Sequence, residues 1–218
     1  SLTLSLPSGA QSSIDAAHTQ SRASVTDPFT VERLADGVYA VIRTDPPGLM
    51  FEANSGFLVG DDDVIVIDGG SNPASARAVL AAIRKVTPKP VRYVVNTHWH
   101  DDHHIGNAVY RDAFPRVEFI AHQYMREDML TDGVRNREQF QKGAPQSVAF
   151  LRGLVDSARS MAGGPLSDEE RQSHLATIAL AEHALSQAAA IRPIPPTITF
   201  IDHLTLFQGS RAIELRWL

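Results

Sequence analysis

The sequence predicts an α/β layered domain with a helical insertion. Strand patterns alternate with helical patterns over residues 31–121, a long helical stretch follows at about 124–190, and strand patterns return over 197–218. Such alternation is typical of a sheet with packed helices, because each element must bury its apolar face against another layer. We therefore expect a leader at residues 1–27, followed by one domain at residues 28–218.

The composition excludes several classes of protein. Hydrophobic residues make up 43% of the 218 residues and charged residues 21%, as in an ordinary globular protein. The 20 basic and 25 acidic residues give a net charge of −5, which disfavours binding to a nucleic-acid backbone. Apolar runs stay well below the ~20 residues needed to cross a bilayer. Cysteine is absent, which excludes disulfides, thiolate zinc sites and cysteine nucleophiles. We expect a small-molecule substrate, with no nucleic-acid or membrane partner.

The first ten residues, SLTLSLPSGA, allow two interpretations. Leu2, Leu4 and Leu6 could end the apolar core of a secretory signal, with a cleavage site of small residues at 8–10. This interpretation predicts a periplasmic or secreted protein, and otherwise we expect a cytoplasmic one. The same three leucines also alternate as they would in a short strand.

Two hairpins and a helix open the domain. Asp36-Gly37 is a turn signal between two strands, and the acidic turn 61–63 separates two more. Val64–Ile67 is continuously apolar, which predicts burial on both faces. Asn72 followed by Pro73 is a helix start. The helix buries one apolar face at i, i+3, i+4 and i+7, made of Ala76, Val79, Leu80 and Ile83.

Later elements follow the same rules. Apolar stretches predict strands at 91–96 and 117–121. Ser167 with Glu170 forms a capping box, which opens a helix running to about residue 190. Three β-like stretches then close the sequence, at 197–201, 204–207 and 212–218.

A dense histidine cluster follows the strand at 91–96. Within THWHDDHHIGN, residues 97–107, His98 and His100 are two positions apart, so they point to one side of an extended chain. Imidazole and carboxylate are the zinc ligands available without cysteine. Asp102 and His103 follow at the turn, where they could serve a second ion. The alternative is a polar loop in which Asp101 or Asp102 caps a helix that begins near His104.

The remaining histidines lack partners at metal spacing. We predict His104 on a helix surface and His122 as a packed residue after its strand. The others are expected to be solvated or in the leader: His18, His174, His183 and His203.

Residues 98–103 resemble the H-x-H-x-D-H signature of the metallo-β-lactamase superfamily, and Gly106 matches the small residue that usually follows. Residues 34–39 resemble the first hairpin of that family, and 64–70 resemble its strand ending in aspartate. The resemblance is good over about 29–125 and weak over 194–218. It implies an αββα sandwich of which this chain carries the first half.

The resemblance also implies roles for residues. His98, His100, Asp102 and His103 would be metal ligands, and Asp68 would support the site from behind the ligands. Two zinc ions are expected in the full-length site. Asp102 would orient a metal-bound hydroxide that attacks an amide, lactone or ester carbonyl, with β-lactams among the possible substrates. A lactonase or thioester hydrolase are alternatives within the family.

The sequence departs from the family at its C-terminal end. The family's third histidine, bridging acid and final histidine have no counterpart before the final residues 216–218. A catalytic zinc site uses about three protein ligands and a water, so the site is expected to be incomplete here. The chain is then part of a longer zinc hydrolase, or another copy supplies the missing ligands. The non-enzymatic alternative is a truncated, metal-poor half domain that self-associates.

Half a sandwich would expose one face of its sheet. At ~25 cal/mol per Å², a bare face of roughly 800 Å² would forgo about 20 kcal/mol of burial, more than the net stability of a domain. Residues 135–190 or a second copy could cover that face. We therefore predict a homodimer.

Overall fold

The computed structural model describes residues 2–5, 29–43 and 53–217, with backbone alone for residues 2–5 and 187. The predicted leader beyond residue 5 and residues 44–52 lie outside the described residues. The helices among the described residues do not combine the length and the apolar character that crossing a bilayer requires.

The described residues form two sheets and six α-helices. The strands are β1 (Leu2–Ser5), β2 (Phe29–Ala35), β3 (Val38–Arg43), β4 (Ser55–Val59), β5 (Val64–Ile67), β6 (Val91–Val95), β7 (Glu118–His122), β8 (Ile198–Phe200), β9 (His203–Gln208) and β10 (Arg211–Trp217). The helices are α1 (Pro73–Val86), α2 (Asp101–His104), α3 (Asn107–Ala113), α4 (Gln123–Leu130), α5 (Asp132–Ser157) and α6 (Asp168–Gln187), followed by a 3₁₀ turn at Ala188–Ala190.

The larger sheet has seven strands in the order β2-β3-β4-β5-β6-β7-β8. Strands β2 to β5 pair antiparallel, as the two predicted hairpins require, and β5 to β8 run parallel. The smaller sheet has the order β1-β10-β9 and is antiparallel. Strand β1 agrees with the strand interpretation of the first leucines. The carboxyl ends of β5, β6, β7 and β8 share one edge, where α/β sheets present their chemistry.

The larger sheet buries both faces, and alternate residues of each strand point to different layers. In β5, Val64 and Val66 pack on the helix side with α1 and α3, whereas Ile65 contacts the smaller sheet. In β7, Phe119 and Ile120 divide in the same way. The layers are therefore helices, large sheet and small sheet, which confirms the predicted α/β sandwich and its first half.

The prediction of a bare sheet face was wrong. The smaller sheet covers it with Ile213 and Leu215, both almost fully buried, and with the partly buried Leu204 and Leu206. Because the resemblance over 194–218 is weak, it did not indicate that β9 and β10 form a hairpin packed against the larger sheet. Neither the helical segment nor a second copy is needed there, so the homodimer loses this argument and stays a prediction.

The predicted helix signals are confirmed. The Asn72 side chain accepts from the N–H groups of Ala74 and Ser75 at 2.9 Å each, which satisfies two free donors at the start of α1. Ser167 and Glu170 form the capping box of α6 in both directions. Helices α4, α5 and α6 fill the segment predicted as helical.

Candidate active site

The site lies where β5 and β6 end. The Asp68 N–H donates to the Val95 carbonyl at 2.8 Å and so continues the pairing beyond the strands. The next N–H, from Gly69, donates to the carbonyl of His103 at 2.7 Å. A third bond joins Gly106 N–H to the Gly70 carbonyl at 2.9 Å. The histidine segment is thereby held against the end of β5.

Asp68 is the central acceptor of this edge. It is 5% exposed and adopts a left-handed φ of 63°, a conformation that aspartate tolerates better than most residues. Its Oδ1 accepts from the Thr97 N–H at 2.8 Å, and the Thr97 hydroxyl lies 3.0 Å from Oδ2. Oδ2 also accepts from Nδ1–H of His103 at 2.8 Å. Asp68 therefore forms a hydrogen bond with a predicted metal ligand, and its supporting role stays a prediction.

The predicted ligands come together in one cluster. The rings of His98 and His103 have centroids 3.9 Å apart, and those of His98 and His100 are 4.8 Å apart. Nε2 of His103 lies 3.3 Å from Oδ2 of Asp102. Since Asp68 accepts from Nδ1–H of His103, loss of the other ring proton would leave the Nε2 lone pair on the side facing Asp102.

Burial and neighbouring charges shift the pKa values of the cluster. Burial, reinforced by the charges of His103 and His100, lowers the pKa of His98. Burial alone would raise the pKa of Asp102, but the hydrogen bond and charge of His103 outweigh it and lower that pKa. Burial would lower the pKa of His103, yet its bonds to Asp102 and Asp68 prevail and raise it to about 9. A neutral His98 and an ionised Asp102 are the forms that a metal requires.

The predicted position of His104 was wrong. The sequence suggested a helix-surface histidine, but its side chain is fully buried, and Nε2–H donates to the Trp99 carbonyl at 2.8 Å. Burial lowers its pKa to about 4, so the ring is neutral. The helix also begins earlier than predicted, at Asp101 after His100, and a second helix starts at Asn107. His104 is a buried structural residue of α2.

A buried amide pair supports the histidine segment, and the sequence analysis missed it. Nδ2–H of Asn107 donates to Oδ1 of Asn96 at 2.8 Å, and Asn96 donates to the His103 carbonyl at 3.0 Å. Both side chains are fully buried. Two asparagines at the ends of the histidine motif, one of them directly after an apolar strand, were the available signal.

Arg137 of α5 was also missed. One of its guanidinium N–H groups donates to Oδ1 of Asp101 at 2.6 Å, which connects the helical insertion to the histidine segment. Burial raises the pKa of Asp101, and the arginine opposes that shift. The partners are 36 positions apart, which leaves no local pattern from which the pair could be predicted.

A cavity of about 380 Å³ lies between the histidine segment and the helical insertion. Its lining is mostly apolar and includes His100, Asp101 and Asp102 of the cluster. The apolar side chains come from Trp99, Ile105, Phe140, Leu180, Ala184, Ala188 and Ile191. A small molecule in this cavity would contact the cluster directly.

His122 follows the prediction of a packed residue. Its side chain is 1% exposed, and Nε2–H donates to the Ile201 carbonyl at 2.6 Å. Nδ1 accepts from the Tyr124 N–H at 3.2 Å, and the ring stacks on Trp217 at 3.9 Å. Both ring nitrogens have partners within the protein, which leaves no free nitrogen to bind a metal.

Comparison with known proteins decides the family. The family model described as the metallo-beta-lactamase superfamily matches residues 50–203, which contain the whole histidine segment. The chain belongs to the metallo-beta-lactamase superfamily. The superfamily consists of hydrolases, and zinc is typical of it.

The chain is also similar to individual proteins and solved structures. A linear primary-alkylsulfatase from Pseudomonas sp. is 28% identical over 149 residues, covering 66% of this chain and 24% of the relative. The chain thus spans about a quarter of the length of that curated relative. A metallo-beta-lactamase from Hirschia baltica is 22% identical, with 49% of this chain and 48% of that chain covered and a TM-score of 0.42. One from Erythrobacter litoralis is 25% identical, with 52% and 49% covered and a TM-score of 0.43.

The superfamily's typical zinc can be tested against the donors present. Three imidazoles and a carboxylate, from His98, His100, His103 and Asp102, are the right chemical types for zinc. Within the described ranges, however, no group of three or more histidine or acidic side chains is arranged to hold one metal ion. The described residues therefore supply suitable donors but only part of a coordination sphere, and the metal-ligand roles stay predictions.

Proposed function

We propose that the protein containing this chain is a zinc-dependent hydrolase that cleaves a carbonyl bond, in an ester, lactone or amide, of a small organic substrate. The observation that supports this is the cavity bordered by His100 and Asp102. A mostly apolar pocket with a few converging polar groups is the usual form of a small-molecule site. Here the polar groups are those of the superfamily's histidine motif.

The chain's own residues would prepare the site. Zinc, when bound, would supply a Lewis acid and a source of nucleophile at neutral pH. His98, His100, Asp102 and His103 are the residues that would hold it. Asp68 fixes the tautomer and orientation of His103 through the 2.8 Å bond to Nδ1. The apolar walls of the cavity would bind the substrate and exclude water from it.

Sulfate ester hydrolysis is the second candidate. It is favoured by the 28% identity to a linear primary-alkylsulfatase over 149 residues. A cavity with apolar walls also suits a substrate with an alkyl group. The two candidates differ in the group hydrolysed, a carbonyl compound or a sulfate ester, so direct assays separate them.

The test is a panel of assays on the zinc-loaded protein that contains this chain. The panel comprises a chromogenic β-lactam, a lactone, a p-nitrophenyl ester and a linear alkyl sulfate. We expect turnover of at least one carbonyl substrate, its loss in His100→Ala, and its retention in His203→Ala. His203 is exposed at the start of β9 and serves as the matched control. Turnover of the alkyl sulfate alone would favour the second candidate. Lack of all turnover, with zinc bound, would contradict both candidates.

A further inference from the structure

A second cavity, of about 610 Å³, opens beside β8 at the edge of the larger sheet. It is lined by Arg111 of α3, Arg126 of α4 and residues 194–197 and 199, and we call it the arginine cleft. It shares no lining residue with the cavity beside His100. A molecule bound in the arginine cleft would therefore leave the histidine cluster accessible.

The protein holds both guanidinium groups of the arginine cleft close to Thr197. Arg111 lies over the ring of Phe119, 5.1 Å from its centroid. The Phe119 N–H donates to the Thr197 hydroxyl at 2.9 Å, and the Thr197 N–H donates to the Phe119 carbonyl at 2.8 Å. Arg126 donates to the carbonyl of Pro196, the preceding residue. The two positive charges are thus anchored in advance, which lowers the entropy lost when a ligand binds.

The charges of these two arginines are not balanced by carboxylates. Both side chains are half-buried, and among the described residues neither forms an ion pair. Asp112 pairs instead with Arg192. Glu118 accepts from the Thr197 hydroxyl, and as the neighbour of Phe119 in β7 it belongs to the opposite face of the sheet. Two guanidinium groups without an acidic partner favour a bound anion.

Arg111 supplies a second, independent indication. Its Nε atom is buried and has no hydrogen-bond partner within the described part of the chain. Nearly all buried donors in proteins have an acceptor, so a donor without one calls for an explanation. An oxyanion bound at this guanidinium would provide the missing acceptor.

The number of donors and the apolar part of the lining define the class of anion. Two arginines match two negative charges, and the exposed Thr199 hydroxyl adds a further donor. A phosphate monoester carries close to two charges above its second pKa of about 6, and its oxygens suit the fork of donors on arginine. The lining also includes Ile194, Pro195 and Pro196, which offer apolar contact to an organic group.

We propose that the arginine cleft binds a small phosphate monoester. Arg111, Arg126 and Thr199 donate to the phosphoryl oxygens, and the apolar residues contact the organic part. This site lies beyond the proposed function and does not depend on it, because the site uses neither the histidine cluster nor zinc.

Binding can be measured by isothermal titration on the zinc-free protein that contains this chain, at pH 8. The absence of zinc removes a competing ligand for phosphate. The probes are phenyl phosphate, phenyl sulfate and inorganic phosphate. Phenyl phosphate should bind at least fivefold more tightly than phenyl sulfate, which carries one charge fewer, and more tightly than inorganic phosphate, which lacks the apolar group. Failure of phenyl phosphate to bind, or equal affinity for any two of the three probes that include it, would overturn the proposal.

Charge-matched variants locate the site. Arg111→Gln and Arg126→Gln should each weaken phenyl phosphate binding at least tenfold, since each removes a charged donor. Arg116→Gln removes the same charge at an exposed position outside the lining and should leave the affinity unchanged. Equal effects of the three substitutions would show only general attraction of anions and would overturn the assignment. If Arg111→Gln fails to fold by circular dichroism, the comparison of Arg126→Gln with Arg116→Gln decides alone.

A last variant separates the arginine cleft from the candidate active site. His100→Ala should bind phenyl phosphate as the wild type does, because His100 lines only the other cavity. Loss of binding in His100→Ala would place the ligand at the histidine cluster and overturn the proposal. The titrations involve neither zinc nor turnover, so their outcome is distinguishable from that of the hydrolase assays.

Discussion

Oδ2 of Asp68 lies 2.8 Å from Nδ1 of His103, although the two residues are 35 positions apart in the sequence. The first ends one parallel strand, and the second lies in the short helix after the next strand. Because β5 and β6 run parallel, their carboxyl ends meet, and the carboxylate reaches the ring without a bend in either strand. The relationship sets the orientation of a predicted metal ligand.

Asp68→Asn should therefore weaken zinc binding. The asparagine keeps the size of the side chain but removes the charge that holds Nδ1–H of His103, and changes of this kind cost about 10- to 100-fold in metal affinity. Zinc affinity can be measured by competition with a chromophoric chelator. Asp62→Asn, in the exposed turn between β4 and β5, is the matched control and should bind zinc as the wild type does. Equal affinity of wild type and Asp68→Asn would contradict the supporting role.

The incomplete donor set predicts that the 218-residue chain alone binds zinc weakly. His100→Ala should reduce that binding further and leave the fold intact, because His100 is exposed at the edge of the sheet. Isothermal titration gives the stoichiometry and affinity, and His203→Ala serves as the control. Two tightly held zinc ions per isolated monomer would contradict this prediction.

Gly106 should be among the least replaceable residues of the site. A Cβ there would lie 2.1 Å from the Gly69 carbonyl oxygen and 2.6 Å from Cβ of Ala76, so the backbone must shift. We expect Gly106→Ala to lower the free energy of unfolding by about 3 kcal/mol. Gly143→Ala in α5 is the control, since a Cβ there meets no atom within 4 Å. It should raise the free energy of unfolding by about 0.5–1 kcal/mol, because alanine favours helix interiors. Urea unfolding of both variants tests the pair, and equal values for Gly106→Ala and wild type would refute the packing argument.

The lowered pKa of His104 should make the stability of the zinc-free protein depend on pH. Its pKa is about 4 in the folded protein and 6.5 ordinarily, so between these values the unfolded chain binds a proton that the folded chain does not. The contribution of His104 is present above pH 6.5 and is lost as the pH falls towards 4, by about 3 kcal/mol in total. The pKa of His103 is raised to about 9, so its contribution to stability is present below pH 6.5 and is lost as the pH rises to 9.

The measurement is urea unfolding of wild type and His104→Gln at pH 7 and pH 4.5. The glutamine can still donate to the Trp99 carbonyl but does not titrate. The loss of stability on acidification should be smaller in the variant by the His104 contribution. Identical losses in the two proteins would mean that His104 is not responsible.

Local patterns predicted most of the fold because they depend on neighbours in sequence. The turn at Asp36-Gly37, the cap at Asn72 and the capping box at Ser167 each need only three or four adjacent residues. The strand ends that carry Asp68 and the histidine segment followed from apolar runs in the same way. The predicted metal ligands could be found from the sequence because all of them lie on one continuous segment.

Contacts between distant segments could not be predicted from one sequence. The pair Asp101 and Arg137 depends on how α5 packs over the histidine segment. The burial of His104 left no local signal either, since the four residues before it are polar. The return of β9 and β10 across the large sheet also left no local signal, which is why the sheet face was expected to be bare.

The division of the cavity between sheet edge and helical insertion has a consequence for how such a protein changes over evolutionary time. Substitutions at positions such as Phe140 and Leu180 alter the shape offered to a substrate without touching any residue of the histidine cluster. Under the proposed function, substrate preference can therefore change while the histidine cluster stays the same. Selection can act on the two functions separately, with the Asp101–Arg137 ion pair as their shared constraint.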